Sequence, residues 1–314
     1  MNVESKIYIA GHSGMVGSAI KRKLIEMGFK NIIFKTYSEL NLEDQKATEE
    51  FFQKERPEYV FDAAAKVGGI YANNTYRAEF IYKNLQIQNN LIHSAWKSGV
   101  KKFLFLASNC VYPRDCQQPI KESYLLSGYL EPTNQPFGIA KIAGIEMCQS
   151  YNKQYGTNFI SVVAANSYGI NDTYDSSNSH LIPALILKFH EAKVNNKEEV
   201  IIWGTGKPRR EAMYVDDLAD ACIFLMQNYD SSEIINVGTG EDRTIEEIAK
   251  LINVEVGFNG RLVFDTTKPD GMMRKVLDVN KINSLGWRAK TDFEEGIKLT
   301  YSWFVNEMGK EKNA

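Results

Sequence analysis

The sequence predicts an α/β fold: a doubly wound parallel sheet of the Rossmann type, with a smaller α/β lobe towards the C-terminal side. Three observations carry this. A short apolar strand, a glycine loop and a helical pattern follow one another near the N-terminus. Strand-like and helix-like runs then alternate as far as about residue 170, which argues for parallel strands joined by crossover helices. Beyond that point the elements shorten and polar loops separate them. The division expected is a dinucleotide-binding domain over 1–170 with parts of 195–240, and a substrate lobe over 171–195 and 241–314.

Lys6 to Ala10 is the first strand, and Gly11-His12-Ser13-Gly14-Met15-Val16-Gly17 follows it. Val16, Ile20, Leu24 and Met27 then share one helix face, and Gly28 ends the helix. Strand, G-x-x-G-x-x-G loop and helix make a dinucleotide-binding turn, because glycine admits a pyrophosphate and the helix N-terminus offers free N–H groups. A glycine turn without a ligand is the bland alternative. The second strand, Asn31 to Lys35, ends in Lys35 and Thr36, with no acid before Glu39. An acidic residue there holds the ribose hydroxyls of NAD, so its absence favours the 2′-phosphate of NADP. A surface lysine at a strand end is the competing reading.

Leu42 to Gln53 has a helical pattern. Tyr59 to Asp62 is the third strand, and the small residues after it, Ala64 and Ala65 among them, let backbone lie against a cofactor. The long helix from Tyr76 to Ser98 carries Phe80, Ile81, Leu85, Leu91, Ile92, Ala95 and Trp96. That is more apolar surface than one sheet face needs, so it packs on a partner subunit or is deeply buried. Phe103 to Ala107 is the fourth strand and delivers Ser108. A proline-containing loop leads to a helix from Phe137 to Tyr155. Asn158 to Ala165 is the fifth strand and delivers Asn166. Ligands of such sheets lie beyond the carboxyl ends of the strands. A helix from Leu181 to about Ala192, a strand from Val200 to Trp203 and helices after Tyr214 and Thr244 complete the pattern.

The 314 residues carry a net charge of −2, with 44% hydrophobic and 24% charged residues, which gives no general attraction to nucleic acid or to an anionic membrane. Cys110, Cys116, Cys148 and Cys222 show no C-x-x-C pair and no metal-site spacing, so reduced thiols, a cytoplasmic location and no metal are expected. No apolar run is long enough to span a membrane, and no signal peptide is read at the N-terminus.

The chemistry centres on Ser108, Phe137 and Lys141. A carbonyl reductase keeps Ser, Tyr and Lys in such positions, and here the tyrosine's place holds a ring without a hydroxyl. The i, i+4 spacing puts residues 137 and 141 on one helix face. Lysine beside a phenol tunes it towards the working pH, and serine hydrogen-bonds the substrate oxygen. Phe137 leaves hydride delivery and positioning but no direct proton donor. Ser108 and Lys141 persist beside it, so an engineered Tyr→Phe change is preferred over a natural one.

The chain from about Lys6 to Glu307 resembles the GDP-L-fucose synthase family, the bifunctional epimerase/reductases of the extended short-chain dehydrogenase/reductase group. The resemblance rests on Gly11–Ser18, Ala64–Ile70, Asn73–Tyr76, Glu131–Asn134, Asn178–Ala184 and Phe264–Gly271. It implies NADP(H) as cofactor, a GDP-bound 4-keto sugar as substrate and a homodimer. By position, Ser108 and Lys141 are implied as reductase residues, with Phe137 in the tyrosine's place. Cys110 and His180 match the family's epimerase acid/base pair. Gly11, Ser13, Gly14, Met15, Val16, Gly17, Lys35, Ala64, Ala65, Lys141, Asn166 and His180 fall on the cofactor side. Asn109, Asn134, Lys188, Trp203, Arg210, Lys268 and Asp270 fall on the substrate side. Ser13 replaces an arginine that commonly reaches the 2′-phosphate, and Asn109 replaces a serine. The implied activity is C4 reduction of a 6-deoxyhexose or a related heptose, with C3/C5 epimerisation beside it. The alternatives are an epimerase that uses Cys110 and His180 alone, or a nucleotide-sugar-binding protein without catalysis.

Overall fold

The computed structural model describes residues 1–175, 179–268 and 270–311. Asn178 and Pro269, both within motifs used above, lie outside the described residues. In chain order the first half reads β1 (Ile7–Ala10), α1 (Met15–Glu26), β2 (Ile32–Ile33), α2 (Gln45–Glu55), β3 (Tyr59–Asp62), α3 (Ile70–Thr75), α4 (Arg77–Lys97), β4 (Lys102–Ser108), α5 (Gln135–Tyr155), β5 (Phe159–Ala164) and β6 (Ser167–Tyr168). The second half reads α6 (Leu181–Val194), β7 (Glu199–Trp203), β8 (Arg209–Arg210), β9 (Met213–Tyr214), α7 (Val215–Asn228), β10 (Ile235–Val237), β11 (Arg243–Thr244), α8 (Ile245–Val256), β12 (Arg261–Asp265), β13 (Arg274–Lys275), α9 (Asn280–Ser284) and α10 (Phe293–Glu311).

The main sheet has six parallel strands in the order β10-β5-β4-β3-β1-β2, as the alternation predicts. The chain leaves β1 for β2 on one side and returns to β3 on the other. The crevice where the order reverses therefore opens over the carboxyl ends of β1 and β3. Three of these strands, β1, β4 and β5, are almost wholly buried, as expected of a parallel sheet covered by helices on both faces.

Several boundaries differ from the sequence expectation, each for a local reason. The second strand is confined to Ile32–Ile33, because Lys35 and Thr36 turn away to meet Glu39. The second helix starts at Gln45, where the Asp44 side chain accepts the Ala47 N–H. The fifth helix starts at Gln135 because Pro136 takes a first-turn position, where its missing N–H costs nothing. Gly144 lets α5 settle on the sheet, since a Cβ there would collide with the Phe105 ring.

Buried side chains form two clusters. The larger lies around the six-stranded sheet and includes Leu277, Ile282 and Trp287 from late in the chain. The smaller joins Tyr168, Ile186, Phe189, Ile202, Ile248, Ile252, Ile297 and Phe304. Its strands β7 and β12 pair in parallel, and β8 lies between β11 and β13 in a three-stranded sheet. Thr244 caps α8 reciprocally with Glu247, as its position predicts. Among the described residues no helix is long and apolar enough to cross a membrane. They contain no His/Cys/Asp/Glu cluster suited to a metal ion.

Candidate active site

The cofactor side is shaped by missing side chains. Gly11 has φ +78°, and a Cβ on it would lie 2.7 Å from Ala63 O. A Cβ on Gly17 would collide with Gly11 O, so α1 can start this close to β1 only with glycine there. Gly14 caps α1 and has room for a Cβ within the protein, so what it keeps clear is the open face above. The first helical N–H groups, from Met15 and Val16 onward, lack intrahelical acceptors, and no acid stands in the first turn. Free N–H groups at the positive end of a helix dipole, reached over bare backbone, fit a pyrophosphate. Ser13 is exposed, and its carbonyl is held by the Asn171 amide at 2.9 Å.

Beyond β2, Lys35 pairs with Glu39 at 3.3 Å, and Thr36 donates to the same carboxylate from its N–H and hydroxyl. Lys21 stands 3.8 Å above the Phe34 ring and brings a second cation to this corner. On the opposite wall, Ala64 N–H donates to Asp62 at 3.2 Å. Asn84 holds both the N–H and the carbonyl of Lys66, so the loop that includes Ala64 and Ala65 is pinned to α4.

Ser108 closes β4 and leads into a 3-10 turn, Asn109–Val111, in which Cys110 is buried. The Ser108 hydroxyl bears on the Cys110 thiol. Burial pushes that thiol up, while the Lys275 ammonium and the serine pull against the rise. The Asn109 amide lies 3.4 Å from Asn166 Oδ1, joining the ends of β4 and β5. On α5, the Lys141 ammonium lies 5.9 Å from the centre of the Phe137 ring, 4.6 Å from that of Phe105, and donates to Leu106 O at 2.9 Å. Phe137 also packs edge-on against Phe80. The ring thus occupies the neighbourhood in which a phenol would meet this lysine. Asn134 precedes α5, and its Oδ1 is buried without a hydrogen-bond partner.

His180 precedes α6 and keeps an exposed edge, yet desolvation pushes its imidazole down, towards the neutral form. Among the described residues no hydrogen bond joins it to Cys110. A pair that works on opposite faces of a substrate needs no such bond. Trp203 is 67% exposed. It is flanked by Lys188 at 6.0 Å and Lys268 at 5.7 Å from its ring centre. Lys188 donates to Ile201 O at 2.9 Å. The Arg210 guanidinium is held by Arg209 O and Met272 O. Asp270 accepts from the Thr205 N–H at 2.8 Å and its hydroxyl at 2.6 Å, so this acid also builds the turn after Trp203.

Two charged residues that the sequence reading passed over belong here. Lys275 enters through the pairing of β13 with β8, beside Arg210, and its charge reaches Cys110. Asp62, the last residue of β3, is buried and bears electrostatically on Lys141. Its place at a strand end next to the glycine crevice was the available signal.

Comparison with known proteins agrees with this geometry. Residues 7–238 match the model of the NAD dependent epimerase/dehydratase family. A putative GDP-L-fucose synthase 2 of Arabidopsis thaliana is 55% identical over 308 residues, covering 98% of this chain and 94% of that protein. The crystal structure of a GDP-6-OMe-4-keto-L-xylo-heptose reductase from C. jejuni has a TM-score of 0.94 at 44% identity, covering 98% and 99% of the two chains. A GDP-mannoheptose C4 reductase from Campylobacter jejuni, solved with NADP bound, has a TM-score of 0.90 at 46% identity, covering 97% and 99%.

Proposed function

We propose the function from the premise that this chain belongs to the NAD dependent epimerase/dehydratase family, as a relative of GDP-L-fucose synthases. It is an NADP(H)-dependent oxidoreductase of nucleotide sugars, and its reaction is C4 reduction of a GDP-4-keto sugar, a 6-deoxyhexose or a heptose. The observation that carries this reading is that Lys141, one turn from residue 137, donates to Leu106 O, two residues before Ser108 at the end of β4, in a fold whose glycine turn suits a dinucleotide. Bound NADPH supplies the hydride. The glycine loop and the α1 N-terminus hold the pyrophosphate, Lys21 and Lys35 stand towards the 2′-phosphate, and Ser108 donates to the ketone oxygen. Trp203, Lys188, Lys268 and Arg210 hold the GDP end. We read the smaller buried cluster as the substrate lobe.

Phe137 gives no proton to that oxygen, so solvent must supply it and reduction is slowed. Phe137→Tyr restores a general acid, a contribution of about 10²–10⁴-fold in rate. NADPH oxidation with a GDP-4-keto sugar should therefore rise strongly in that variant. No oxidation with either a hexose or a heptose substrate, in either protein, would reject the reductase reading.

Epimerisation at C3 or C5 is the second reading. It is favoured by Cys110, on which Ser108 and the charge of Lys275 bear, and by His180, whose imidazole desolvation pushes towards the neutral form. Solvent deuterium entering the sugar, and its loss in Cys110→Ser, is the expected result. We further read the chain as a cytoplasmic homodimer that packs through α4 and α5. Tyr82, Ile139 and Tyr155 stay exposed there, while Phe80, Leu91 and Ile92 are consumed in the core. Sedimentation of the intact chain and of Tyr82→Glu tests this.

A further inference from the structure

We propose that Asp62 is the positioning partner of Lys141: a carboxylate sealed behind the pocket that keeps this ammonium charged where it faces the cofactor. The functional consequence rests on the cofactor reading above; the pairing itself does not.

Asp62 is 1% exposed. One carboxylate oxygen accepts the Ala64 N–H, and the other is buried with no hydrogen-bond partner. Sheet register sets Asp62 beside Phe105 on β4, and Phe105 beside Ser161 on β5. These three side chains form one row on one face of the sheet. Helix α5 lies across that row. Gly144 sits on the Phe105 ring. Lys141 is one turn before Gly144, with its ammonium 4.6 Å from the centre of the same Phe105 ring. Lysine and aspartate thus stand on neighbouring elements beside one aromatic residue, with no direct ion pair between them among the described residues.

An unpaired buried ammonium sheds its proton, and an unpaired buried carboxylate gains one. Each of these two groups opposes that tendency in the other. Desolvation pushes Asp62 up to about 6, and Lys141 acts against the rise. Desolvation likewise lowers Lys141, and Asp62 is the foremost group raising it. The remaining neighbours carry no charge at neutral pH. Burial pushes Tyr8 on β1, Cys110 after β4 and Cys148 on α5 all upward, towards their protonated forms. Ser161 on β5 is a hydroxyl, and Gln88 on α4 is an amide that donates to Ala140 O at 2.7 Å. Asp62 is left to balance the lysine.

Two measurements test this. The first is NADPH affinity, followed by nucleotide fluorescence from about pH 6 to about pH 10, in the intact protein and in Asp62→Asn. If Lys141 depends on Asp62, the alkaline loss of affinity moves to lower pH in the variant by about one unit or more. A folded variant with an unmoved midpoint overturns the proposal. The second is the titration of Asp62 itself, read by carboxyl-carbon NMR in the intact protein and in Lys141→Met, without cofactor. The Asp62 midpoint should rise when the ammonium is removed, and an unchanged midpoint overturns the pairing. If the intact protein takes up no NADPH, the cofactor reading fails while the second measurement still decides the pair.

Discussion

The two walls of the pocket are built by opposite means. The cofactor wall works by subtraction: Gly11 and Gly17 are present because a Cβ at either would strike backbone. The wall we propose for the sugar nucleotide works by addition. It consists of the side chains of Trp203, Lys188, Lys268 and Arg210, placed by carbonyls and by the turn that Asp270 and Thr205 build. Backbone contact is all-or-none, because interiors do not yield to a buried atom without moving their neighbours. Side-chain contact is graded, because one group can be trimmed while the rest persist. An error on the first wall should therefore abolish binding, and an error on the second should weaken it.

The largest expected effect follows at Gly17. Gly17→Ala forces a methyl into Gly11 O, which costs about 1–3 kcal/mol of stability and displaces α1 from β1. NADPH titration should show no saturable binding, with a lower melting temperature. Gly14→Ala, which meets nothing closer than Gly11 O at 3.6 Å, should leave the melting temperature in place and weaken only the cofactor. If the two variants behave alike, the contrast between the walls is wrong on this side.

Next is Glu211, which ties the turn at Gly240 to Leu277. Its two oxygens accept from the N–H groups of Gly240 and Leu277, each at 2.8 Å. Glu211→Gln turns one acceptor into a donor facing an N–H, which costs about 1–3 kcal/mol, read as a lower urea midpoint. Trp203→Ala should be milder in kind. A lost aromatic platform is worth about 1–3 kcal/mol per base, so the KM for the GDP-sugar rises while the fold and NADPH affinity stay constant.

The smallest effect concerns the turn after β2. Hydrogen bonds from the Thr36 N–H and hydroxyl, with Lys35 beside them, hold Glu39 down at about 2, against 4.5 for a free glutamate. A carboxylate depressed in the fold stabilises it above the free value. That contribution fades as pH falls from 4.5 through about 2. Protection of the Thr36 amide, taken relative to its intrinsic exchange rate at each pH, should fall across that window, and Glu39→Gln should remove that fall.

Much of the cofactor wall was legible in the sequence. The Gly11–Gly17 spacing, the helix face Val16–Ile20–Leu24 and the Phe137–Lys141 pair are local patterns, and local patterns survive without coordinates. Asp62 and Lys275 were not legible. Asp62 reads as the polar end of a strand until the register with Phe105 lets it bear on Lys141. Lys275 reads as one basic residue in a charged stretch until β13 pairs with β8 and carries it to Cys110. The overlong reading of β2 has a similar cause: Glu39 draws Lys35 and Thr36 out of the ladder by side-chain hydrogen bonds that apolar patterning does not register.

What the chain settles by itself is the order of strands and helices, the glycine positions and the phenylalanine at residue 137. These depend on neighbours within a turn or a strand, where steric rules and periodicity act directly. What only the folded molecule decides is which charges face one another. That Lys141 has Asp62 behind it, and Cys110 has Lys275 beside it, depends on sheet register and burial, because a buried charge takes its character from groups that are distant along the chain.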